Sequence, residues 1–396
     1  MRTAISSCMA ALDDGDAAIV VNLASGTFIE TDALAQLTSW LLAMQARGKL
    51  IKIVGDENVI RYLARMDLHQ SLGLPAPDMT RRPEGGRFIP LILVRDGNDV
   101  FNAVSSIADI VLQQFEGVGD FIPAFEWAVN EIVDNVFIHA GAETPGVVCA
   151  QLFPSKRRLD IAISDCGIGI RKSLSESFEL EDDAAAIRKA LERGATRNVD
   201  IGQGNGMAGS LEIMRKNGGT LLVWSGNALY QMRGGEEIGF DLGPELMGTG
   251  VLLSFDLSHP VKLIDTWIGG TGWSYIDAEA ERVSENGIMI AEACSHTGSR
   301  PPATRLRRKI MTLLPEIDGA VNLDFTGIKT ISSSFLDELL GRLNAELGNK
   351  AFNEKIIVTG LSELHRNMAN NVIGQRLALD EKGPDGAGDN AWLTII

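Results

Sequence analysis

The stretch NEIVDNVFIHA, residues 130–140, decides how the middle of this chain is interpreted. Apolar residues in and just before it recur at helical spacing and predict one buried face: Phe125, Ala128, Val129, Ile132, Val133 and Val136. Glu131, Asn135 and His139 follow one another at four-residue steps and form a second, polar stripe. This stripe is either the hydrated face of an amphipathic helix or a set of functional side chains.

Composition narrows the classes of function. The 396 residues are enough for roughly two to three domains, and a hydrophobic fraction of 45% is typical of globular proteins. A formal net charge of -16 without a long Lys/Arg cluster argues against nucleic acid and against an anionic membrane as partners. The densest basic stretch, RLRRK at 305–309, is predicted to be the solvated face of a helix.

Cysteine usage and the N-terminus indicate a compartment. Cys8, Cys149, Cys166 and Cys294 lie far apart without a CxxC pair, which favours reduced thiols over zinc or redox chemistry. The N-terminus has no basic region followed by an apolar run, and no apolar stretch reaches membrane-spanning length. We therefore expect a soluble, cytoplasmic protein.

The order of predicted elements divides the chain into three α/β segments. Both outer segments read as strand, helix, strand, helix, which predicts parallel pairing, whereas the middle segment predicts a mixed sheet with helices on one face. The predicted boundaries are 1–78, a linker 79–87, 88–258, a connecting segment 259–284, and 285–396 with a mobile tail. Residues 20–41 align with residues 321–343 without a large gap, and this weak internal repeat predicts a shared fold for the outer segments.

Three glycine-containing motifs follow the opening helix. SDCGIG (164–169) places Asp165 at a strand end, where a carboxylate can accept a hydrogen bond from the amino group of a base. GQGNGMAGSLEIMRKNGG (202–219) puts flexible backbone at a helix N-terminus, which suits a phosphate. GTGVLLSF (248–255) is a glycine-flanked turn that enters a strand. Each motif alone also describes an ordinary turn or loop.

Taken in order, the helix and the three motifs resemble the Bergerat-fold ATP-binding domain of the GHKL group, which includes histidine kinases and the anti-sigma-factor serine kinases. The resemblance covers residues 88–258 and implies a central α/β sandwich that binds ATP and Mg²⁺, with residues 171–203 as the ATP lid. Ala208 and Val251 depart from the usual glycine and threonine of the pattern. The chain has no Walker loop, which is consistent with this group.

The resemblance also implies a role for each matched position. It implies that Glu131 orients or deprotonates the attacking hydroxyl or water and that Asn135 binds the magnesium ion. Asp165 would accept a hydrogen bond from adenine, with Gly167 and Gly169 beside the base. The phosphates would lie against Gly204, Gly206 and Met207, and the last motif would contribute Thr249 and Gly250. His139 is expected to be a neighbour of the site rather than a phosphoacceptor.

The stretch DFTGIKTISSSFLDELLGRL (324–343) resembles the core of a STAS domain, the fold of anti-sigma-factor antagonists, and a STAS-like domain often fused to these ATPases. The resemblance makes Ser333 and Ser334 candidate phosphoacceptors. An alternative interpretation is structural, because Ser334-x-x-Asp337 approximates a helix capping box. In the first segment the equivalent loop carries Thr31 and Asp32, either of which could cap the following helix, and Asp32 would supply a built-in negative charge for docking.

Together, the two resemblances imply a regulatory enzyme with STAS-like, ATPase and STAS-like segments. It would act as a serine/threonine kinase or ATP-gated switch that binds protein partners through the outer segments and forms a homodimer. Two alternatives stay open: an ATPase clamp that phosphorylates no protein, and a nucleotide-sensing scaffold without turnover.

Overall fold

The computed structural model describes most of the chain. The described residues are 18–23, 29–77, 87–95, 97–114, 121–139, 143–195, 206–262, 265–266, 286–294, 297–298, 300–317, 319–328 and 331–380. Most of the predicted linker, most of the connecting segment and the tail beyond residue 380 lie outside them, so those boundaries stay predictions. No helix in the described ranges is long and apolar enough to cross a membrane.

The N-terminal unit alternates strands and helices as predicted. Its elements are β1 Ala18–Leu23, α1 Thr31–Ala46, β2 Leu50–Gly55, α2 Glu57–Arg65 and α3 Leu68–Ser71. Strands β1 and β2 pair in parallel, with Ala18 opposite Leu50. The predicted cap of α1 is wrong: the residue before the helix is Glu30, which makes no side-chain capping bond. Thr31 and Asp32 are instead buried inside the first turn.

A five-stranded antiparallel sheet forms the centre of the molecule. Its strands are β3 Phe88–Val94, β4 Gly146–Phe153, β5 Arg158–Ser164, β6 Thr220–Arg233 and β7 Glu236–Asp256. They lie in the order β3-β4-β5-β7-β6, and every described pair is antiparallel. The predicted mixed sheet is therefore wrong in this respect. The apolar runs TLLVWSG (220–226) and VLLSFDL (251–257) predict two short strands, whereas β6 and β7 form a much longer hairpin.

Helices cover one face of this sheet. They are α4 Gly97–Gln114, α5 Ile122–His139, α6 Gly169–Leu174, α7 Asp183–Ala190 and α8 Gly206–Asn217. Five members of the apolar stripe predicted for α5 are buried, namely Phe125, Ala128, Val129, Ile132 and Val133, whereas the side chain of Val136 lies outside the described residues. Phe125 packs edge-on against Phe255 of β7 with ring centres 5.6 Å apart. The stripe thus anchors α5 to the sheet and fixes the direction of its polar side.

The opposite face of the sheet is also covered, contrary to the prediction of helices on one face. Helix α1 packs there, so that the N-terminal unit and the sheet share one hydrophobic core. The sheet side of this core comprises Leu91, Val147, Cys149, Ala162, Leu222, Trp224 and Leu252. Leu34 and Leu41 of α1 are fully buried within it.

The C-terminal unit has a three-stranded parallel sheet in the order β10-β9-β8. Its elements are β8 Asn286–Met289, α9 Ile290–Ala293, α10 Arg300–Leu313, β9 Val321–Asp324, α11 Ser333–Leu336, a π-helical turn Asp337–Gly341, α12 Arg342–Leu347, α13 Asn349–Lys355, β10 Ile356–Thr359 and α14 Glu363–Asp380. Both outer units thus contain a parallel strand–helix–strand arrangement, as the internal repeat predicted.

A buried ion cluster holds the helices of the C-terminal unit together. Arg376 makes two hydrogen bonds of 2.7 Å to Asp337, and Arg300 contacts the same carboxylate at 2.8 Å. Arg307 donates to Glu338 at 3.2 and 3.1 Å. Arg307 is part of the basic stretch that was predicted to be solvated, so that prediction is wrong for this residue because its charge is paired inside the unit.

Candidate functional site

A hydrogen bond between two distant residues marks the first part of the site. Glu131 lies half-buried on α5, and Ser333 begins α11 of the C-terminal unit. The Ser333 hydroxyl donates to Oε1 of Glu131, although the two residues are separated by 202 positions in the sequence. The predicted catalytic carboxylate and one of the two predicted phosphoacceptors are therefore adjacent.

The neighbouring serines have other roles. Oγ of Ser332 accepts a hydrogen bond of 3.0 Å from the Phe335 amide and caps α11. Ser334 lies in the helix and is buried. The predicted capping box of Ser334 with Asp337 is therefore wrong, because the cap lies two residues earlier and Asp337 is engaged by arginines. Since Ser332 caps the helix, the Ser333 hydroxyl can contact Glu131.

The other polar residues of α5 differ in what the structure says of them. Asn135 lies one helical turn after Glu131 on the same side and is half-buried. His139 ends the helix, but its side chain lies outside the described residues. Asn130 was not singled out from the sequence. It is buried, and its Oδ1 makes no hydrogen bond to any described residue.

Helix α8 packs closely against α5 at Glu131. A Cβ atom added to Gly206 would lie 2.4 Å from Oε2 of Glu131, so any larger side chain would displace the carboxylate. Oγ of Ser210 is 3.2 Å from the Ala128 carbonyl and 2.9 Å from that of Gly206, which ties the two helices together. Met207 is half-buried beside Gly206, whereas Gly204 lies outside the described residues.

The second part of the site is built around Asp165. Its carboxylate accepts a hydrogen bond of 2.7 Å from the Gly167 amide, and its own amide donates to the Thr249 carbonyl at 2.9 Å. Burial raises the pKa of Asp165 to about 6, although backbone hydrogen bonds from Gly167 and Thr249 act in the opposite direction. A carboxylate has about four lone-pair positions, so Asp165 keeps accepting capacity for a ligand.

Ser225 joins two of the predicted motifs. Its hydroxyl accepts from the Ile170 amide at 2.9 Å and lies 3.1 Å from the Gly248 carbonyl. Ser225 was not selected from the sequence, because a serine in a β-strand has no distinctive pattern. In the same region, a Cβ atom added to Gly250 would lie 2.0 Å from the Trp224 ring. Gly250 is thus required for close packing of neighbouring strands.

A cavity of about 750 Å³ opens beside these two motifs. Residues 167–169 and 245–248 form two of its walls. Arg171 and Lys172 supply positive charge, and Asp183 and Glu245 supply negative charge. Its volume lies within the range of small-molecule sites. Among the predicted site residues, Gly167 and Gly169 line it directly.

The oxygen atoms of Glu131 and Asn135 on α5 suit a hard cation whose remaining ligands are phosphate and water oxygens. The described residues contain no group of three or more His, Cys, Asp or Glu side chains that could hold a metal ion. Asn135 offers an amide oxygen, and Glu131 offers a carboxylate one turn away. Mg²⁺ is commonly held by one or two protein oxygens together with phosphates and water, so these residues fit it.

Two groups of predicted residues therefore come together: Glu131 with Gly206 and Ser333, and Asp165 with Gly167 and Thr249. Each group combines residues that are far apart in the sequence. The first group includes Ser333 of the C-terminal unit. This unit has a parallel sheet and several helices, so it belongs to the α/β class.

Comparison with known families identifies part of this unit. Residues 303–366 match the model of the STAS-like domain of unknown function (DUF4325). The C-terminal unit is therefore STAS-like, and a STAS-like domain is a protein-interaction module. Among curated proteins, none matches the chain significantly.

Proposed function

We propose that this chain is a Mg-ATP-dependent serine kinase of the GHKL type, and that Ser333 of its own STAS-like unit is the acceptor. The hydrogen bond from the Ser333 hydroxyl to Glu131 carries this proposal. A general base must lie within hydrogen-bond reach of the proton that it removes, and Glu131 meets this requirement for Ser333.

In the proposed step, Oγ of Ser333 attacks the γ-phosphorus of ATP. The bond from Oγ to phosphorus forms, the bond from phosphorus to the β,γ-bridging oxygen breaks, and ADP leaves. Glu131 accepts the hydroxyl proton. Positioning and charge stabilisation dominate phosphoryl transfer, so one base and a held acceptor are the main contributions required from the protein.

The residues around Asp165 support the nucleotide side of the proposal. A buried carboxylate at a strand end, with glycine backbone beside it, suits the exocyclic amine and the face of adenine. The adjoining cavity offers room for a nucleotide. Asn135 would hold Mg²⁺, which when bound neutralises negative charge on the phosphates. Gly206 keeps the first turn of α8 close to Glu131.

The wider role that we propose is partner switching. The STAS-like unit would present a surface to a protein partner, and its phosphorylation state would depend on the central domain. The homodimer expected from the sequence stays part of this proposal. An ATPase clamp and a nucleotide-sensing scaffold are the alternatives that the following experiment separates.

The full-length protein is incubated with γ-labelled ATP and Mg²⁺, and both protein-bound label and free phosphate are measured. We expect label on Ser333, loss of label in Glu131→Gln and in Ser333→Ala, and retention of label in Ser334→Ala. The last variant is the matched control, because Ser334 is buried one position away. Free phosphate without protein label would support the clamp, and ATP binding without either product would support the scaffold.

The dependence on protein concentration tests whether the transfer is intramolecular. If Ser333 reacts within its own chain, the rate constant of labelling is independent of dilution. Mixing Glu131→Gln, which keeps the acceptor, with Ser333→Ala, which keeps the base, would then restore no label. Restored label would show transfer between chains and would contradict the intramolecular part of the proposal.

A further inference from the structure

Helix α1 contacts the end of β5, which Asp165 directly follows, through hydrogen bonds among three polar side chains. Oγ of Ser39 lies 2.9 Å from Oγ of Ser164, and the Cys166 thiol donates to the same Ser39 oxygen at 3.9 Å. The Ser39 hydroxyl itself donates to the Gln36 carbonyl at 3.1 Å. Because a hydroxyl has one proton, Ser164 must be the donor in the serine pair. Ser39 thus accepts from both residues that flank Asp165.

The alternation of side chains along β5 explains why these contacts bear on Asp165. Ile161 and Ile163 belong to the core on the helical face, and Ala162 belongs to the core under α1. Ser164 and Cys166 continue the α1 side, so Asp165 between them is directed to the other side. Ser39 and Ser164 are each 1% exposed, so water does not compete for this contact.

We infer that Ser39 is a positioning residue for Asp165, through which the N-terminal unit sets the affinity of the central domain for nucleotide. This inference rests on the proposed function. Ser39 accepts hydrogen bonds from Ser164 and Cys166 on the side opposite the Asp165 side chain. These bonds fix the backbone of residues 164–166, and the direction of the Asp165 carboxylate depends on that backbone. By linkage, any change that loosens α1 weakens nucleotide binding, and bound nucleotide in turn stabilises α1.

The test compares Ser39→Ala with Thr38→Val in the full chain. Thr38 is a matched control, because it is buried on the same helix and its hydroxyl donates only to the Leu34 carbonyl, 2.7 Å away. Calorimetric titration with Mg-ATP is expected to show a dissociation constant raised about fivefold or more in Ser39→Ala, a typical allosteric factor. We expect no change in Thr38→Val. Equal affinities in the two variants would overturn the inference.

Hydrogen exchange without nucleotide gives a second readout that does not depend on ATP binding. We expect the amides of residues 164–167 to exchange faster in Ser39→Ala than the same amides in Thr38→Val. The comparison is made under conditions in which the two variants have equal thermal stability. Unchanged exchange there would overturn the positioning role of Ser39. A wild-type chain that binds no Mg-ATP would instead overturn the proposed function and the coupling built on it, so the two failures are distinguishable.

The same pair of variants tests the reciprocal effect. Addition of Mg-ATP is expected to slow amide exchange in α1 of the wild-type chain and of Thr38→Val, and to do so less in Ser39→Ala. Combining Ser39→Ala with Asp165→Asn should weaken binding no further than Asp165→Asn alone, because residues that act through one another are not additive. Additive losses would show that Ser39 acts elsewhere.

Discussion

The two outer units share a parallel strand–helix–strand arrangement but are joined to the central domain in different ways. The N-terminal unit is attached through a hydrophobic core that includes one face of the sheet. The C-terminal unit also packs against the helical layer, yet at α5 it presents a polar contact, Ser333 with Glu131. The apolar contact of the N-terminal unit resembles a permanent interface. The contact of the C-terminal unit at α5 depends on one hydroxyl oxygen, and phosphorylation of that oxygen would change it.

The equivalent loops make the difference specific. Asp32, which the repeat aligns with the Ser333 region, was expected to supply a built-in negative charge for docking. It is buried against the sheet near Cys149, where burial raises the pKa of the thiol and the Asp32 carboxylate adds to the shift. The expectation is therefore wrong. The loop of the N-terminal unit is part of the central core, whereas the loop of the C-terminal unit presents the Ser333 hydroxyl to Glu131.

The largest effect on stability is expected from a substitution in the buried ion cluster of the C-terminal unit. Arg376→Ala would leave Asp337 buried with reduced compensation, and we expect a loss of about 3–5 kcal/mol in the free energy of unfolding. The control is Arg61→Ala, which removes an exposed pair with Glu57 and should cost about 0–1 kcal/mol. Denaturant titration measures both. Similar small losses would show that the ion cluster contributes little.

The pH dependence of the same carboxylate has a defined sign. Burial acts to raise the pKa of Asp337, but hydrogen bonds and charges from Arg376 and Arg300 outweigh it and hold the pKa below its ordinary value. The resulting stability is present above the unfolded pKa and is lost as the pH falls through the folded pKa. In Arg376→Ala this acid-induced loss should begin at higher pH.

The next largest effect is expected from a substitution in the hydrophobic core that attaches the N-terminal unit to the central sheet. Leu41→Ala removes a fully buried side chain from the core shared by α1 and the sheet, and we expect a loss of about 2–5 kcal/mol. Leu50→Ala, at a side chain that is 72% exposed, should change stability by less than about 0.5 kcal/mol. We also expect the unit and the sheet to unfold in one transition. Independent unfolding of the N-terminal unit would contradict the shared core.

A third change sharpens the comparison at Glu131 without disturbing either core. In Gly206→Ala the new methyl group must displace the Glu131 carboxylate, so we expect phosphoryl transfer to Ser333 to fall roughly 10- to 100-fold. Stability should be unchanged or slightly higher, since alanine favours a helix over glycine. Gly243→Ala, where an added Cβ meets nothing within 4 Å, is the control. Equal transfer rates would show that the placement of Glu131 is not critical.

Much of the fold followed from periodicity, and the failures have physical causes. The largely apolar runs at 88–96, 146–153 and 158–165 predict strands β3, β4 and β5, and the bounds agree with the structure within two residues. The outer half of the β6–β7 hairpin was missed because Gly239, Gly243 and Pro244 disrupt the strand pattern, whereas pairing with β6 supplies the order. The packing of α1 on the opposite face of the central sheet was missed because this contact is between residues far apart in the sequence.

Candidate site residues could be selected one by one from the sequence, but their spatial arrangement could not. Acid, amide and serine types could be selected from their motifs, yet no local pattern brings Ser333 to Glu131 across 202 residues. Ser39 was missed for a related reason, since a serine inside an apolar helix has no signal until its partner strand is known. Long-range packing determines both contacts.

The smallest effect tests how far the Ser333 contact depends on its own helix. Ser332→Ala removes the cap of α11, and we expect a loss of about 1 kcal/mol in unfolding free energy. Thr312→Ala, which removes a hydroxyl bonded only within its own helix, is the control. Since about 1.4 kcal/mol corresponds to a tenfold change in rate, labelling of Ser333 should fall by less than about tenfold. A complete loss of labelling would show that the cap itself holds Ser333 against Glu131, and that the docked serine depends on its local helix rather than on packing between the units.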